Sequence, residues 1–423
     1  MLPVENIIRR ELSDTAETSI IGRSSSLVGD TIPWTQAAIV LSLYLTGWAT
    51  LFLLSKYFKL EEKGLKVGPL YFVYKTTSLN RTLERSARIL RQAWRVFFSI
   101  GAAVGVGMLI LIVYQLVRNA FNLIYRTQEA GPVQVLLPIP GLTMRWENFP
   151  YVIIALCVLL ITHEGAHAIA SLAEGVSLKS SGVFLAAVIP GGLVELDDEK
   201  LDKSPYSTQL KVFAAGSAAN MAISLIFLIL MANFVLTISP FYDIVPSGVL
   251  VGGITVGYPA EAAGIRPGDI IQGIDDKTVA NLQSLRAVMA YVNPGTSVTV
   301  VTPRGRFELV TARDPNNSTH SVLGVTQLTD HITYSPKISI LPSDLPRQLY
   351  NLEFWIYFVT LNVALINMLP LFPLDGDRFM IALLGSLGIR NVKVIRSTIS
   401  AFSFSILAMN LFLSYALFGF VKI

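Results

Sequence analysis

Apolar residues along the chain gather into six stretches, each about 20 residues long, the length an α-helix needs to cross a hydrocarbon core. They lie near residues 35–55, 97–117, 150–171, 212–236, 352–370 and 397–419. Between Lys56 and Arg95, in the loop after the first stretch, ten basic residues stand against three acidic ones. Next to apolar spans, such an excess marks a cytoplasmic loop rather than a nucleic-acid surface. Alternation from that loop puts the N-terminus outside and runs the third span inward. Residues 174–211, with Lys179, Lys200, Lys203 and Lys211, then fall inside. The segment 240–350 falls outside, and Arg390, Lys393 and Arg396 fall inside. Within the basic loop, Leu79, Leu83, Leu90 and Trp94 recur at helical spacing with arginines on the other faces. Two structures fit this pattern: a helix lying on the inner membrane surface, or an extension of the second span.

Two segments break the helical pattern. Residues 182–194, GVFLAAVIPGGLV, are apolar but too short to span, and Pro190-Gly191-Gly192 interrupts any helix. Non-helical backbone at membrane depth survives only where protein or a water-filled cavity satisfies its polar groups. A re-entrant strand or loop against the helical core is expected there. From Val249 the outer segment turns to short β-rich runs, Val249–Val256, Asp269–Ile274, Ser297–Thr302 and Arg306–Thr311, separated by Gly, Pro, Asn and Asp. A helix is expected over Asn281–Tyr291, and an exposed loop at Asn316-Asn317-Ser318-Thr319, which holds two overlapping glycosylation sequons.

Composition supports the membrane reading. The chain has 423 residues, 52% of them hydrophobic and only 15% charged, against about 25% charged in soluble domains. The formal net charge of +4 is small beside the local bias in the first loop. Cys157 is the single cysteine, so no intramolecular disulfide and no cysteine-based metal cluster can form. The first 34 residues mix polar and charged types, so no cleavable signal peptide is expected.

The third span contains Thr162-His163-Glu164-Gly165-Ala166-His167. On a helix, positions i and i+4 share a face, so His163 and His167 can hold one zinc ion, and Glu164 beside them can polarise a bound water. Ionisable groups inside a span are costly and usually functional; the bland alternative is polar glue between helices. A catalytic zinc takes three protein ligands and leaves a position for water. His320 and His331 lie in the outer segment, on the wrong side for this site. The other candidate is Asn367-Met-Leu-Pro370-Leu-Phe-Pro373-Leu-Asp375-Gly376-Asp377, where two prolines and a glycine end the fifth span and free a carboxylate. Alone it reads as a capped helix terminus; paired with the histidine motif it offers the third ligand.

These motifs, in this order, resemble the site-2 protease family of intramembrane metalloproteases, which pairs H-E-x-x-H with N-x-x-P-x-x-x-L-D-G in a later span. The resemblance covers residues 150–237 and 352–420, while residues 1–149 fit only as additional spans. It implies one Zn2+ per chain held by His163, His167 and Asp375, with Glu164 as general base and Asn367 positioning substrate or steadying the oxyanion. Gly216-Ser217-Ala218-Ala219-Asn220 looks like the family's G-P-x-x-N, with Ser217 in place of the proline. Asn220 is taken as substrate-binding by that likeness. Asp377 stands where many members carry a second glycine and is not assigned to the metal. The stretch from Tyr258 through Gly264, Gly268 and Asp269 resembles a PDZ domain of bacterial-type proteases. Its role would be to take an extended peptide as an added strand, or to filter access sterically.

The expected architecture is therefore a multi-span α-helical membrane protein of about six transmembrane helices with an inserted small β-rich PDZ-like domain. Residues 1–149 carry the N-terminal polar segment, two spans and the basic loop. Residues 150–239 hold the protease core through the following span, 240–350 the extracytoplasmic PDZ-like domain with its core at 249–315, and 351–423 the second core motif and last span. The expected activity is hydrolysis of peptide bonds within transmembrane segments. Expected partners are single-pass membrane substrates already cut by another protease, the lipid bilayer and a peptide for the PDZ-like domain, with no nucleic acid. The cell membrane is the expected location. A substrate helix hides its carbonyls in its own hydrogen bonds, so the segment around Gly191, Gly192 and Val194 is expected to hold it extended as an added strand; the alternative is a loop that merely connects two spans. A catalytically inactive membrane-anchored PDZ adaptor is the competing reading, disfavoured by the intact motif. A zinc transporter is a third, disfavoured by the lack of repeated halves.

Overall fold

The computed structural model describes residues 34–76, 78–140, 143–186, 189–315, 317–389 and 391–419. The N-terminal polar segment, Asn316 and Arg390 lie outside them. The chain forms two units, one from the chain up to Asn233 together with Tyr350 onward, the other Phe234–Leu349.

The first unit is built on helices. They are α1 (Trp34–Tyr57), α2 (Ser78–Ile89), α3 (Arg91–Tyr125), α4 (Phe149–Glu174), α5 (Tyr206–Ala232), α6 (Leu345–Asn367), α7 (Asp375–Ser386) and α8 (Val392–Phe418). Among the described residues, α3, α4, α5, α6 and α8 are long and apolar enough to cross a membrane. These five cover the second to sixth expected spans. The first expected span falls in α1, whose early side chains lie outside the described residues. Helix α2 is separate from α3, with the break at Leu90. Ala87 is buried and the helix packs against α4, while Ile89 at its end and Leu90 just after it stay exposed, so it is not an extension of the span.

Small residues bring the helices close. A Cβ at Gly101 would lie 2.7 Å from the Cβ of Ala218, and one at Gly105 would lie 3.2 Å from that of Ala214. Two i, i+4 pairs of small residues thus face each other, the means by which helices approach in lipid without a hydrophobic drive. Charge ties the ends of α3, α4 and α5 together. Glu174 is nearly buried and accepts from Arg95 Nε at 3.0 Å and Lys211 Nζ at 3.1 Å, while Arg91 Nε donates to the Ala173 carbonyl at 2.8 Å. At the far end Asn119 Nδ2 donates to Asn410 Oδ1 at 2.9 Å, joining α3 to α8.

Between α4 and α5 the chain forms β3 (Leu178–Ala186) and β4 (Ile189–Leu196). They are antiparallel, with Val183 opposite Gly192 and Phe184 opposite Gly191. A strand hairpin thus stands where a re-entrant strand or loop was expected over 182–194. The Pro-Gly-Gly run does not leave bare backbone on both sides; it lies in a hairpin strand paired along one edge. The basic loop adds β1 (Leu65–Gly68) and β2 (Tyr71–Thr76), and β2 pairs with β3, giving the antiparallel order β1-β2-β3-β4 with β4 at an edge. No periodicity in the first loop announced this hairpin, because its partners stand about a hundred residues away.

The second unit carries short antiparallel strands. These include β5 (Tyr242–Leu250), β6 (Ile270–Ile271), β7 (Gly273–Ile274), β8 (Lys277–Thr278), β9 (Ser297–Thr302), β10 (Gly305–Val310) and β11 (Thr329–Pro336). Two sheets run β10-β9-β7-β8 and β11-β5-β6 around a core of Val249, Ile271, Ile274, Leu285 and Val300. The strand expected over Val249–Val256 instead ends at Leu250 and resumes at Gly253–Ile254, and Asp269–Ile274 is divided between β6 and β7. A helix over Leu282–Met289 is capped by Asn281, whose side chain accepts from Ser284 N. This capping box sets its start one residue after the expected one.

Candidate metal centre

His163 and His167 stand one turn apart on α4, as their spacing requires. Asp375 reaches them from the first residue of α7, because the chain after Asn367 leaves helical geometry across Pro370 and Pro373 and re-enters it there. The result is a triangle. His163 Nε2 and His167 Nε2 are 3.3 Å apart, and Asp375 Oδ2 is 3.2 Å from each.

This donor set fits a metal ion. Four ligands at about 2.0–2.1 Å from a tetrahedral zinc stand about 3.3–3.4 Å from one another. The contacts of His167 suit ligation through Nε2. His167 Nδ1 lies 2.8 Å from the Val212 carbonyl, which can only accept; the proton therefore sits on Nδ1, and Nε2 presents a lone pair. His167 Nε2, His163 Nε2 and Asp375 Oδ2 converge on one point, an arrangement that a cation satisfies when both imidazoles are neutral.

Asn220 completes the support from behind. It is fully buried on α5, with its amide 2.9 Å from His163 Nδ1 and 2.8 Å from Thr162 Oγ1. When Nε2 ligates a metal, Nδ1 carries the proton and the amide oxygen must face it. In the structure the amide nitrogen faces Nδ1 and Oδ1 accepts from Thr162 Oγ1, so metal ligation requires the amide to turn over. Thr162 Oγ1 then accepts from it and donates to the Val158 carbonyl at 2.8 Å. The structure thus brings Asn220 to a ligand's far nitrogen.

Two glycines make room. A Cβ at Gly216 would lie 2.5 Å from His163 Cε1 and from His167 Nε2. A Cβ at Gly192 would lie 2.1 Å from Glu164 Cγ, so β4 packs directly on the half-buried Glu164. Gly191 faces the ring of Phe184, and Val194 packs on the main core cluster of the unit. Asn367, the last residue of α6, puts Nδ2 3.3 Å from His163 Nε2. With that lone pair given to a metal, the amide hydrogens are available to a substrate oxygen beside it. Sequence reasoning missed Val212, Thr162 and the packing role of Gly216. Thr162 was visible as a polar residue in a span; the other two emerge only from the α4–α5 contact.

His320 and His331 belong to the second unit, where His331 Nδ1 lies 2.8 Å from Ser247 Oγ.

Residues 151–411 match the family model of peptidase family M50. The chain is 28% identical over 210 residues to the membrane-bound transcription factor site-2 protease homolog of Arabidopsis thaliana, over 48% of this chain and 39% of that protein. It therefore spans well under half the length of that relative. It is 23% identical over 312 residues to an uncharacterized protein of Methanocaldococcus jannaschii, over 73% of this chain and 76% of that one. A 53-residue stretch, 12% of this chain, is 42% identical to 7% of the magnetosome formation protease MamE of Magnetospirillum gryphiswaldense. The matched segment runs over more than half of the chain, from the span bearing the two histidines past the helix bearing the aspartate, and on that ground the protein belongs to peptidase family M50, the site-2 protease family.

Proposed function

We propose that this chain is a zinc endopeptidase that cuts peptide bonds within transmembrane segments, with His163, His167 and Asp375 as ligands to one zinc. The observation that carries the reading is the 3.2–3.3 Å triangle of two imidazole nitrogens and a carboxylate oxygen inside an apolar helical unit. A zinc ion, when bound there, supplies Lewis acidity toward a substrate carbonyl and acidifies water.

The remaining chemistry belongs to the chain. The Glu164 carboxylate takes the proton of the attacking water and later returns it to the leaving amine. Asn367 offers its amide hydrogens to the carbonyl oxygen as charge gathers on it. Asn220 and the Val212 carbonyl hold the two imidazoles in the tautomer that ligates. The β4 edge, with Gly191, Gly192 and Val194, supplies backbone groups to an unwound substrate as an added strand, placing its scissile bond over Glu164. Gly192 favours this because its missing side chain lets strand and base touch.

In this reading α1 is the sixth span, the protein lies in the cell membrane, and Phe234–Leu349 is an extracytoplasmic PDZ-like unit that binds a peptide or filters access. Substrates are single-pass membrane proteins first shortened by another protease. The test is to incubate the reconstituted protein with a tagged single-pass substrate and locate the cut by mass spectrometry. A cut inside the apolar segment, lost on chelation and restored by zinc, is expected. Cleavage confined to the soluble flanks, or indifferent to chelation, would overturn the proposal.

A further inference from the structure

Asp377 is fully buried, yet it lies outside the metal triangle. Its carboxylate is gripped by Arg396 of α8, with Nε 2.9 Å from Oδ1 and Nη2 2.5 Å from Oδ2. The Arg396 side chain is 41% exposed while the carboxylate is buried, so loosening this two-point grip leaves a buried charge without its partner, which is strongly destabilising. Its position on α7 shows what it constrains.

Successive residues of a helix turn by about 100°, so Asp375 and Asp377 leave α7 about 200° apart, on nearly opposite sides. Asp375 faces the histidines of α4; Asp377 faces α8. The residues beside them are tied as well. A Cβ at Gly376 would lie 2.3 Å from the Met368 carbonyl, so that side of α7 lies flush against the chain leaving α6. Arg378 Nη2 is 2.8 Å from Asp198 Oδ1, and its guanidinium sits 4.5 Å above the Phe213 ring. The first turn of α7 is therefore fixed on four sides, and the pair with Arg396 is the anchor opposite the metal-facing carboxylate.

Resting on the metal-site reading above, we infer that Asp377 and Arg396 are positioning residues that set the rotation of α7 and so place Asp375 Oδ2 in the ligand triangle. A rotation of α7 by a few tens of degrees would carry that oxygen out of reach of both imidazoles. Asp377 touches neither substrate nor metal in this arrangement, so its effect passes through Asp375 alone. Substrate affinity is expected to stay unchanged while metal affinity and turnover fall.

The experiment loads purified wild type, Asp377→Asn and Arg396→Lys with Co2+ and records visible absorption, metal dissociation constant, kcat and KM. Thermal unfolding of the chelated proteins serves as the stability control. Outer contacts of this kind are commonly worth about 10–100-fold in metal affinity or activity. A fall of that size is expected for Asp377→Asn, with altered cobalt bands, lower kcat and unchanged KM. Arg396→Lys keeps the charge but loses the two-point grip, and a smaller shift in the same direction is expected. If Asp377→Asn does not fold, Arg396→Lys decides alone. Variants that lose thermal stability but keep wild-type cobalt bands and affinity overturn the inference, because a merely structural pair would behave so. A wild type that holds no Co2+ overturns the metal-site reading, and this inference with it.

Discussion

Gly165 and Gly216 both border the histidines, but they differ in what a methyl group would meet. Nothing lies within 4 Å of a Cβ at Gly165, whereas at Gly216 both imidazoles lie within about 2.5 Å. Gly165→Ala is therefore expected to keep full zinc content, helped by the better helix propensity of alanine. Gly216→Ala is expected to lose most of it, as measured by metal analysis of the purified proteins. Equal zinc in the two variants would show that α5 does not set the imidazole positions. The residues of the candidate site were legible from spacing, since His163, Glu164 and His167 fall within about one helical turn and Asp375 follows helix-breaking prolines. Their supports were less so: Gly216 and Asn220 stood out only through the likeness to G-P-x-x-N, with Asn220 read as substrate-binding rather than as a partner of His163, and Val212 becomes special only where α5 crosses α4.

Spans were legible at the scale of elements because twenty apolar residues have few alternatives. Sheet partners were not: β3 and β4 share an apolar run with no polar break between them, and β2 joins them from a distant loop. The position of β4 carries a prediction. Val194→Pro removes a backbone donor from the edge strand, while Val194→Ala loses comparable packing and keeps the donor. Cleavage is expected to slow in the proline variant well below the alanine one, with zinc content unchanged in both. Substrates with glycine or proline near the cut are expected to be cleaved faster, since their helices unwind more easily. Equal rates for the two variants would remove β4 from substrate handling.

A second element prediction concerns the turn leading into β6. The Arg304 guanidinium beside Asp269 holds its carboxyl below the usual carboxylate range, and the Arg266 amide donates to Asp269 Oδ2 at 2.8 Å. A group with a depressed folded-state pKa contributes stability that is present above its unfolded value, about 3.9, and is lost as pH falls toward the folded one. Amide hydrogen exchange at residues 264–275 is thus expected to lose protection below about pH 4. In Asp269→Asn, protection is expected to be lower at neutral pH and nearly flat with acid. An unchanged acid profile in that variant would assign the loss to another group.

For the whole molecule, the positive-inside count makes a sidedness claim. In a background with Cys157 replaced, a cysteine at Asn317 is expected to react with an impermeant reagent from outside. One at Arg85 is expected to react only after the membrane is opened. The reverse pattern would invert the proposed topology and put Phe234–Leu349 in the cytoplasm. The proposed sidedness rests on charge and apolar length, which add along the chain. The meeting of α4 with α7, 208 residues apart at His167 and Asp375, was legible because two histidines leave a metal one ligand short and the helix-breaking Asp375 motif offers it, a pairing that the likeness to the family also implies.

The most direct measurement combines zinc content and cleavage of a transmembrane substrate in proteoliposomes for wild type, Glu164→Gln and Asp375→Ala. Wild type is expected to hold about one zinc per chain, as three ligands and a water position imply. Glu164→Gln is expected to keep that zinc while cleavage falls by at least about 10²–10⁴-fold, the usual worth of a general base. Asp375→Ala is expected to lose both. Full zinc and full cleavage in Asp375→Ala, or undiminished cleavage in Glu164→Gln, would contradict the proposed site.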